Sequence, residues 1–449
     1  MRKTAILLLI CWVLPAHGQT LTPISLEEAT AKAFENNPTL REAEWEVKSS
    51  RWGMVRAVSD ALPKVTFTSS LTRTDDETVG RQNIMRDVIL QEYGQYIDPD
   101  EFPPFAYKDM YSSHISIDQP IYNGGVEITA LRIAGKRKRV INLTLETQKR
   151  TLILNVQTAY FTLCRAYRAY QLQERSLAVT KGYLERFGRQ KELGMISEVD
   201  LLRWEAQESS DQAALIEARN NLKLAELSLE QVMGEFQNQS YYPVDLTQYQ
   251  ADDYDYSSSL PQLEELWEEM QNSSPDLEIM DKSVKLEKEN VWIASSNFQP
   301  KLNFNYTYSW EADNDWELDG FKTWTAGINL SMPLFSSFGN VARFQEAKIN
   351  VKKAQEQAID YETGLYIRLT ASYNGLRAAG ERLKAGRTML RQSEEVLSRQ
   401  GKQYELGMIT TLELLDARTV TERAELASIN ALFDALIARA QLERLAGSF

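Results

Sequence analysis

Cysteine and histidine are almost missing from this 449-residue sequence, with two of each. The first eighteen residues hold one of each pair, Cys11 and His17. A basic start (Arg2, Lys3), an apolar run from Ala5 to Leu14 and a small-residue end, Ala16-His17-Gly18, predict a secretory leader cleaved after Gly18, with Gln19 opening the mature chain. The apolar run is about half of the roughly 20 residues that a membrane-spanning helix requires. Ile10 stands where a lipidated Cys11 would need a small residue, so no lipid anchor is expected. What remains is Cys164 and His114, which exclude an intrachain disulfide, a thiolate metal site and a histidine triad within one chain. No cofactor is expected.

Long apolar runs are missing as well: none of 18 or more residues follows the leader, which excludes a helical span. Positive charge is in deficit. Loss of Arg2 and Lys3 leaves 48 basic against 63 acidic residues, a net charge of -15 that repels nucleic acid. Proline is absent from Ile121 to Tyr242 and again from Leu334 to Phe449, where Ala, Leu, Glu, Lys, Arg and Gln dominate. Val126 to Leu193 therefore predicts a single helix, about 100 Å long at 1.5 Å per residue. Its seam, Leu152, Val156, Ala159, Leu163, Ala166 and Tyr170, steps alternately by four and three, the coiled-coil spacing. A return arm is expected over Ser197 to Met233, and a helix over Ser25 to Leu62 punctuated by Asn37-Pro38.

The chain repeats itself. Leu26-Glu27-Glu28, Asn37-Pro38 and Leu62-Pro63-Lys64 recur as Leu263-Glu264-Glu265, Ser274-Pro275 and Gln299-Pro300-Lys301, 237 residues on. Pro120-Ile121-Tyr122 and Glu192-Leu193-Gly194-Met195-Ile196 recur as Pro333-Leu334-Phe335 and Glu405-Leu406-Gly407-Met408-Ile409, 213 residues on. The first half thus carries 24 extra residues between Lys64 and Pro120. Five anchors at two fixed displacements point to a duplicated unit with an insertion in one copy. The expected organisation is a leader (1–18), a first repeat (19–242), an irregular linker (243–261) and a second repeat (262–449). The segment Asp75 to Tyr111, without sustained periodicity, reads as a polar external loop. The acidic stretch from Trp310 to Lys322 reads as its shorter counterpart.

Each repeat carries a pair of alternating segments, expected near 64–73 and 112–120 and near 301–310 and 322–333. Leu302, Phe304, Tyr306, Tyr308 and Trp310 face one way, and Asn303, Asn305, Thr307 and Ser309 the other. Trp324, Ala326, Ile328, Leu330 and Met332 repeat the pattern, and Val65, Phe67 and Leu71 carry a version of it. About nine residues with aromatic bias suit a tilted strand crossing an outer membrane. A half-buried strand of a soluble sandwich gives the same alternation. Four strands in 431 mature residues are too few for such a sandwich, and each pair is flanked by helices. Four strands are also too few to close a barrel, for which about 8 is the minimum, so closure demands several chains. The fold class is mainly α with a small β part.

The two turns carry a resemblance. Glu192-Leu193-Gly194-Met195-Ile196-Ser197-Glu198-Val199-Asp200-Leu201-Leu202 and Glu405-Leu406-Gly407-Met408-Ile409-Thr410-Thr411-Leu412-Glu413-Leu414-Leu415-Asp416-Ala417 resemble the paired hairpin-tip motifs of the TolC-like outer membrane efflux proteins. The likeness covers essentially the whole mature chain. It implies a homotrimer whose twelve strands form one barrel in outer-membrane lipid and whose helices form a periplasmic tunnel. It further implies tips (193–200 and 406–413) that meet a periplasmic adaptor, or membrane fusion protein, linked to an inner-membrane pump of the RND or ABC type. No enzymatic role is expected, and the duct serves drug efflux or type I secretion. The resemblance makes Leu193, Gly194, Met195, Leu406, Gly407 and Met408 docking residues, and Glu413, Asp416 and Asp200 constriction carboxylates. Some members carry a basic residue within the second tip that pairs with the first tip, where this chain has Ile409. Without the family, Gly194 and Gly407 suit left-handed helix ends and Ser197 and Thr410 suit caps. A periplasmic coiled-coil scaffold shares the helices but gives no reason for lipid-facing strands.

Overall fold

The computed structural model describes residues 22–99, 102–236, 239–249, 260–313, 316 and 321–446. The leader, most of the linker and most of the acidic stretch 311–320 lie outside these residues. Among the described residues the chain is internally duplicated to the residue. Helices α1 (Leu26–Asn36) and α2 (Pro38–Ser59) match α6 (Leu263–Ser273) and α7 (Pro275–Ser296) in length at a displacement of 237. Helices α4 (Val126–Glu192) and α5 (Glu198–Met233) match α8 (Gly339–Glu405) and α9 (Thr411–Ala446) at 213, with 67 and 36 residues per pair. The membrane-type strands are β2 (Lys64–Arg73), β3 (Asp109–Asn123), β5 (Lys301–Ala312) and β6 (Phe321–Ser331).

Two compact units cut across the repeats, because each 67-residue helix contributes to both. Of the described residues, one unit comprises those up to Glu46, those between Asn142 and Ile279 and those from Ile359 onward, the other those between Val47 and Ile141 and between Met280 and Ala358. In the first, Leu152, Val156, Ala159 and Leu163 of the seam are buried with Leu229, Met233, Met270, Leu369, Leu376, Phe433 and Leu436. Local chemistry sets the breaks. Ser25 and Glu28 form a reciprocal capping box that starts α1. Asn37 then caps α2 through Leu40 N (3.1 Å) and donates to Val232 O of α5 (2.8 Å), while Pro38 opens the new helix. Gly234, which ends α5 with φ +73, is obligatory, since a Cβ there would lie 2.4 Å from Asn36 O.

Two strands were missing from the sequence expectation. Thr22–Ile24 (β1) and Tyr241–Pro243 (β4) pair in parallel, Thr22 opposite Tyr241. At three residues each they are too short for alternation to register. Tyr160 seals them, its hydroxyl reaching Ile24 O (3.3 Å) and Asp245 Oδ2 (3.2 Å). Cys164, one turn on, is buried, and burial pushes its thiol up to about 12, so it is an inert packing residue.

In the second unit the four strands form one antiparallel sheet ordered β2-β3-β5-β6. Register aligns like with like: Phe67, Ile115, Tyr308 and Trp324 form one row across the sheet, and Val65, Ile117, Tyr306 and Ala326 the next. The opposite face carries Thr66, Ser116, Thr307 and Thr325 in line. β2 and β6 are the sheet edges, and Val65, Phe67, Trp324, Ile328 and Leu330 are all exposed in the single chain.

The expected loop from Asp75 to Tyr111 is corrected: it contains an 18-residue helix, α3 (Asp76–Tyr93), before β3 begins at Asp109. Asp75 caps it by accepting from Thr78 N at 2.9 Å. A returning strap is pinned to it by Asn83, which accepts from Phe105 N (2.8 Å) and Ala106 N (3.0 Å) and donates to Ala106 O (2.8 Å). Arg86 Nε adds a bond to Phe102 O at 2.7 Å. These tertiary pins, and not an amphipathic stripe, hold the helix, which is why periodicity missed it.

Candidate functional site

The two tips are built alike. Gly194 and Gly407 both sit at φ +71, the left-handed region. Each closes a Schellman motif: Gly194 N donates to Lys191 O (2.8 Å) and Met195 N to Gln190 O (2.9 Å). Gly407 N donates to Tyr404 O (2.9 Å) and Met408 N to Gln403 O (2.9 Å). The next helices are capped at once, Ser197 Oγ accepting from Asp200 N at 3.1 Å and Thr410 Oγ1 from Glu413 N at 3.3 Å. The apolar residues beside each glycine stand in solvent: Leu193 and Leu406 are each 75% exposed, Met195 68% and Met408 69%. Ile196 and Ile409 are half-buried in both turns.

Helix-end chemistry explains the glycines and the caps but not these four exposed side chains. A turn that only reversed the chain would be stable with polar residues there, so the turn itself does not require exposed Leu and Met at these matching positions.

The three acidic positions differ in state. The Asp200 carboxyl is held below the usual carboxylate range, first by the Ser197 hydroxyl at 2.6 Å and then by a hydrogen bond from Thr411 and the Arg203 charge. Thr411 begins α9, so Asp200 joins the first tip to the second within one chain. Tyr404, one residue before the second tip's Glu405, adds a link, its hydroxyl lying 3.3 Å from Gln190 Oε1 of α4. Glu413 has a local duty that sequence reasoning did not assign. Its Oε2 accepts from Thr410 N (2.8 Å) and Thr410 Oγ1 (2.9 Å), completing a capping box, and these bonds hold its carboxyl low. Asp416, three residues on, is exposed, with no hydrogen bond or ion pair among the described residues.

Sequence reasoning also missed a buried polar node beyond the tips. It joins Ser176 and Thr180 of α4, Asp211 of α5 and Arg418 of α9, and Asp211 is 2% and Arg418 8% exposed. Burial holds the Arg418 guanidinium below its ordinary value, with Asp211 opposing that shift. Each member is an unremarkable polar residue on a polar helix, so no local pattern marks it.

An antiparallel four-stranded sheet with an aromatic apolar face and two edges unpaired among the described residues, in a chain with two hairpins of 67-residue helices and matched tips, defines an outer-membrane duct protein. Known proteins agree. The sequence profile of the outer membrane efflux proteins matches residues 30–235 and 266–448, and the chain belongs to that family. It is similar to the outer membrane protein TolC of Escherichia coli (strain K12), 22% identical over 398 residues, 83% of this chain and 78% of that protein. It is also similar to the outer membrane efflux protein BepC of Brucella suis biovar 1 (strain 1330), 20% identical over 426 residues, 94% of this chain and 85% of that protein. A crystal structure of a membrane protein from Pseudomonas aeruginosa superposes with a TM-score of 0.76 at 16% identity, covering 94% of this chain and 92% of that one. The protein is an outer-membrane exit duct of an efflux or secretion system, with a large helical periplasmic part.

Proposed function

We propose that three copies of this chain close their sheets into one 12-stranded barrel in the outer membrane, and that the tips receive a periplasmic adaptor linked to an inner-membrane pump of the RND or ABC type. The observation that carries the reading is the pair of edges, β2 and β6, unpaired among the described residues and bounding a sheet whose apolar face is exposed. In lipid an unpaired strand edge costs several kcal/mol for each unsatisfied backbone group, so the edges of sister chains must meet. Three is the number that the family resemblance supplies. The chain performs no chemistry of its own, and energy and choice of cargo belong to the pump. Detergent-extracted protein, crosslinked, is expected at three times the chain mass; a water-soluble monomer that needs no detergent overturns the proposal.

Leu193, Gly194, Met195, Leu406, Gly407 and Met408 form the adaptor-docking surface in this reading, supported by their matched exposure. Replacing Gly194 and Gly407 by bulky residues should abolish export while trimers remain in the outer membrane. Intact export after both changes would remove the tips from the docking surface.

Asp416, Asp200 and Glu413 line the periplasmic constriction. Three copies crowd their carboxylates around one opening and favour cations. Since Glu413 is tied to Thr410, Asp416→Asn should lower cation preference in planar bilayers more than Glu413→Gln does. Unchanged selectivity in both single variants and in the double one refutes the assignment.

A further inference from the structure

We propose that the β6–α8 turn of one copy seats on the α2–β2 junction of the next, with Phe335 against Leu62, an inference that rests on the reading that sister chains close one barrel. The contact repeats, between copies, one that the duplicated halves already make within a chain. There the turn after β3 packs on the junction before β5. The Tyr122 hydroxyl donates to Gln299 Oε1, and Gly124 lies so close to Ser296 that a Cβ added to it would stand 2.7 Å from the serine Cβ. The displacement of 213 carries Tyr122, Gly124 and Gly125 of the turn to Phe335, Ser337 and Phe338, and the displacement of 237 carries Gln299 and Ser296 of the junction back to Leu62 and Ser59. Ser59 keeps the local bond of its counterpart: its hydroxyl donates to Arg56 O at 2.8 Å, as that of Ser296 donates to Ile293 O at 2.7 Å. Yet Ser59 is exposed where Ser296 is buried.

This second contact cannot form inside one chain, because β2 and β6 stand at opposite edges of the sheet. In a closed barrel β6 of one copy runs antiparallel to β2 of the next, which brings the end of β6 to the start of β2. The residue types differ accordingly. Tyr122 and Gln299, a hydrogen-bonded pair made as the chain folds, give way to Phe335 and Leu62, 75% and 52% exposed in the single chain. Such an apolar pair gains only when assembly buries it. Phe338, also exposed, sets its ring edge-on to that of Phe335 at 5.7 Å and holds φ +64, a conformation that bulky side chains rarely adopt. Ser337 carries the Cβ that Gly124 has no room for, so this turn stands further off its junction, and the two phenyl rings fill the space. The same displacements set the strand register between copies. Within the chain Gln119, Ile117 and Ile115 lie opposite Phe304, Tyr306 and Tyr308. Their counterparts Met332, Leu330 and Ile328 therefore lie opposite Phe67, Ser69 and Leu71 of the next copy. The apolar face then continues across the seam, whereas a slip of one residue would turn it inward.

The test uses the full-length protein extracted in detergent, with the buried Cys164 left in place and single-cysteine variants as controls. Ile328→Cys combined with Leu71→Cys, once oxidised, should give a covalent species at three times the chain mass, because opposed strand residues come within disulfide reach. Ile328→Cys combined with Ser69→Cys or Arg73→Cys should give about tenfold less, since those positions lie too far along the strand. Phe335→Cys combined with Leu62→Cys, joined by a short bifunctional thiol reagent, should give the same covalent trimer, and neither single variant should. Where Phe335→Cys hinders insertion, the pairs along the strands decide alone. Trimers that link best through Ser69 or Arg73, or that do not link at all, overturn the proposal. Protein that stays monomeric in detergent brings down the closed barrel itself, and the seam with it.

Discussion

Substituting Gly407 separates backbone geometry from side-chain bulk at the tip. Gly407 sits at φ +71, and a Cβ built there meets nothing within 4 Å, so any cost arises from the backbone and not from collision. Holding an L-residue in that conformation costs roughly 1–2 kcal/mol. Escaping it would break both Schellman bonds, from Gly407 N and Met408 N, at about 0.5–1.5 kcal/mol each. The strained turn is therefore the cheaper outcome for Ala. Asn, which visits the left-handed region readily, should cost much less despite its larger side chain, and Val, β-branched, should cost more than Ala. The expected order of tip stability is Gly, Asn, Ala, Val. Amide hydrogen exchange at Gly407 and Met408 measures it, since 1–2 kcal/mol corresponds to a loss of protection of about 5–30-fold. Export with the adaptor present should follow the same order. A protection order set by side-chain volume in the protein without adaptor, with Asn worse than Ala, would refute the reasoning, because bulk and not the glycine conformation would then control the turn.

Acid should loosen the first tip. The Asp200 carboxyl titrates lower in the folded chain than when unfolded, so its stabilisation is complete above the unfolded value and is lost as pH falls through the folded one. Exchange at Ser197 to Leu201 should accelerate below about pH 4, and Asp200→Asn should abolish that acceleration. At the strand-to-helix turn the first repeat uses Gly124 and Gly125 (φ +65 and +76), whereas the second holds Ser337 and Phe338 at φ +49 and +64. Ser337→Gly should stabilise the protein by about 0.5–1 kcal/mol, the relief of left-handed strain less the entropy of glycine, and a lowered Tm would contradict this. Asn83→Ala removes three bonds between α3 and its strap; amides 102–108 should lose protection while the sheet keeps it, and loss across the whole sheet would show that α3 is not an independent element.

Sequence alone determined the duplication, the 67-residue helices, the alternating strands and the two tip turns. Each is written in neighbouring residues: a proline-free run, a period of two, a seam stepping by four and three, a glycine followed by a capping residue. The shortage of strands for closing a barrel within one chain likewise follows from counting the alternating segments. The tertiary structure decided what depends on residues far apart in the chain. Thr22 meets Tyr241 in a strand pair too short to show a period. α3 exists because Asn83 and Arg86 grip a strap some 16 to 23 positions away. Thr410 and Glu413 are the local exception, a capping box three residues long that neighbouring residues do carry and that sets Glu413 apart from Asp416. The buried polar node of Ser176, Asp211 and Arg418 assembles from three helices, its members up to 242 residues apart. A contact across that distance leaves no periodic trace in the chain, since neither partner's neighbours need to change to accommodate it.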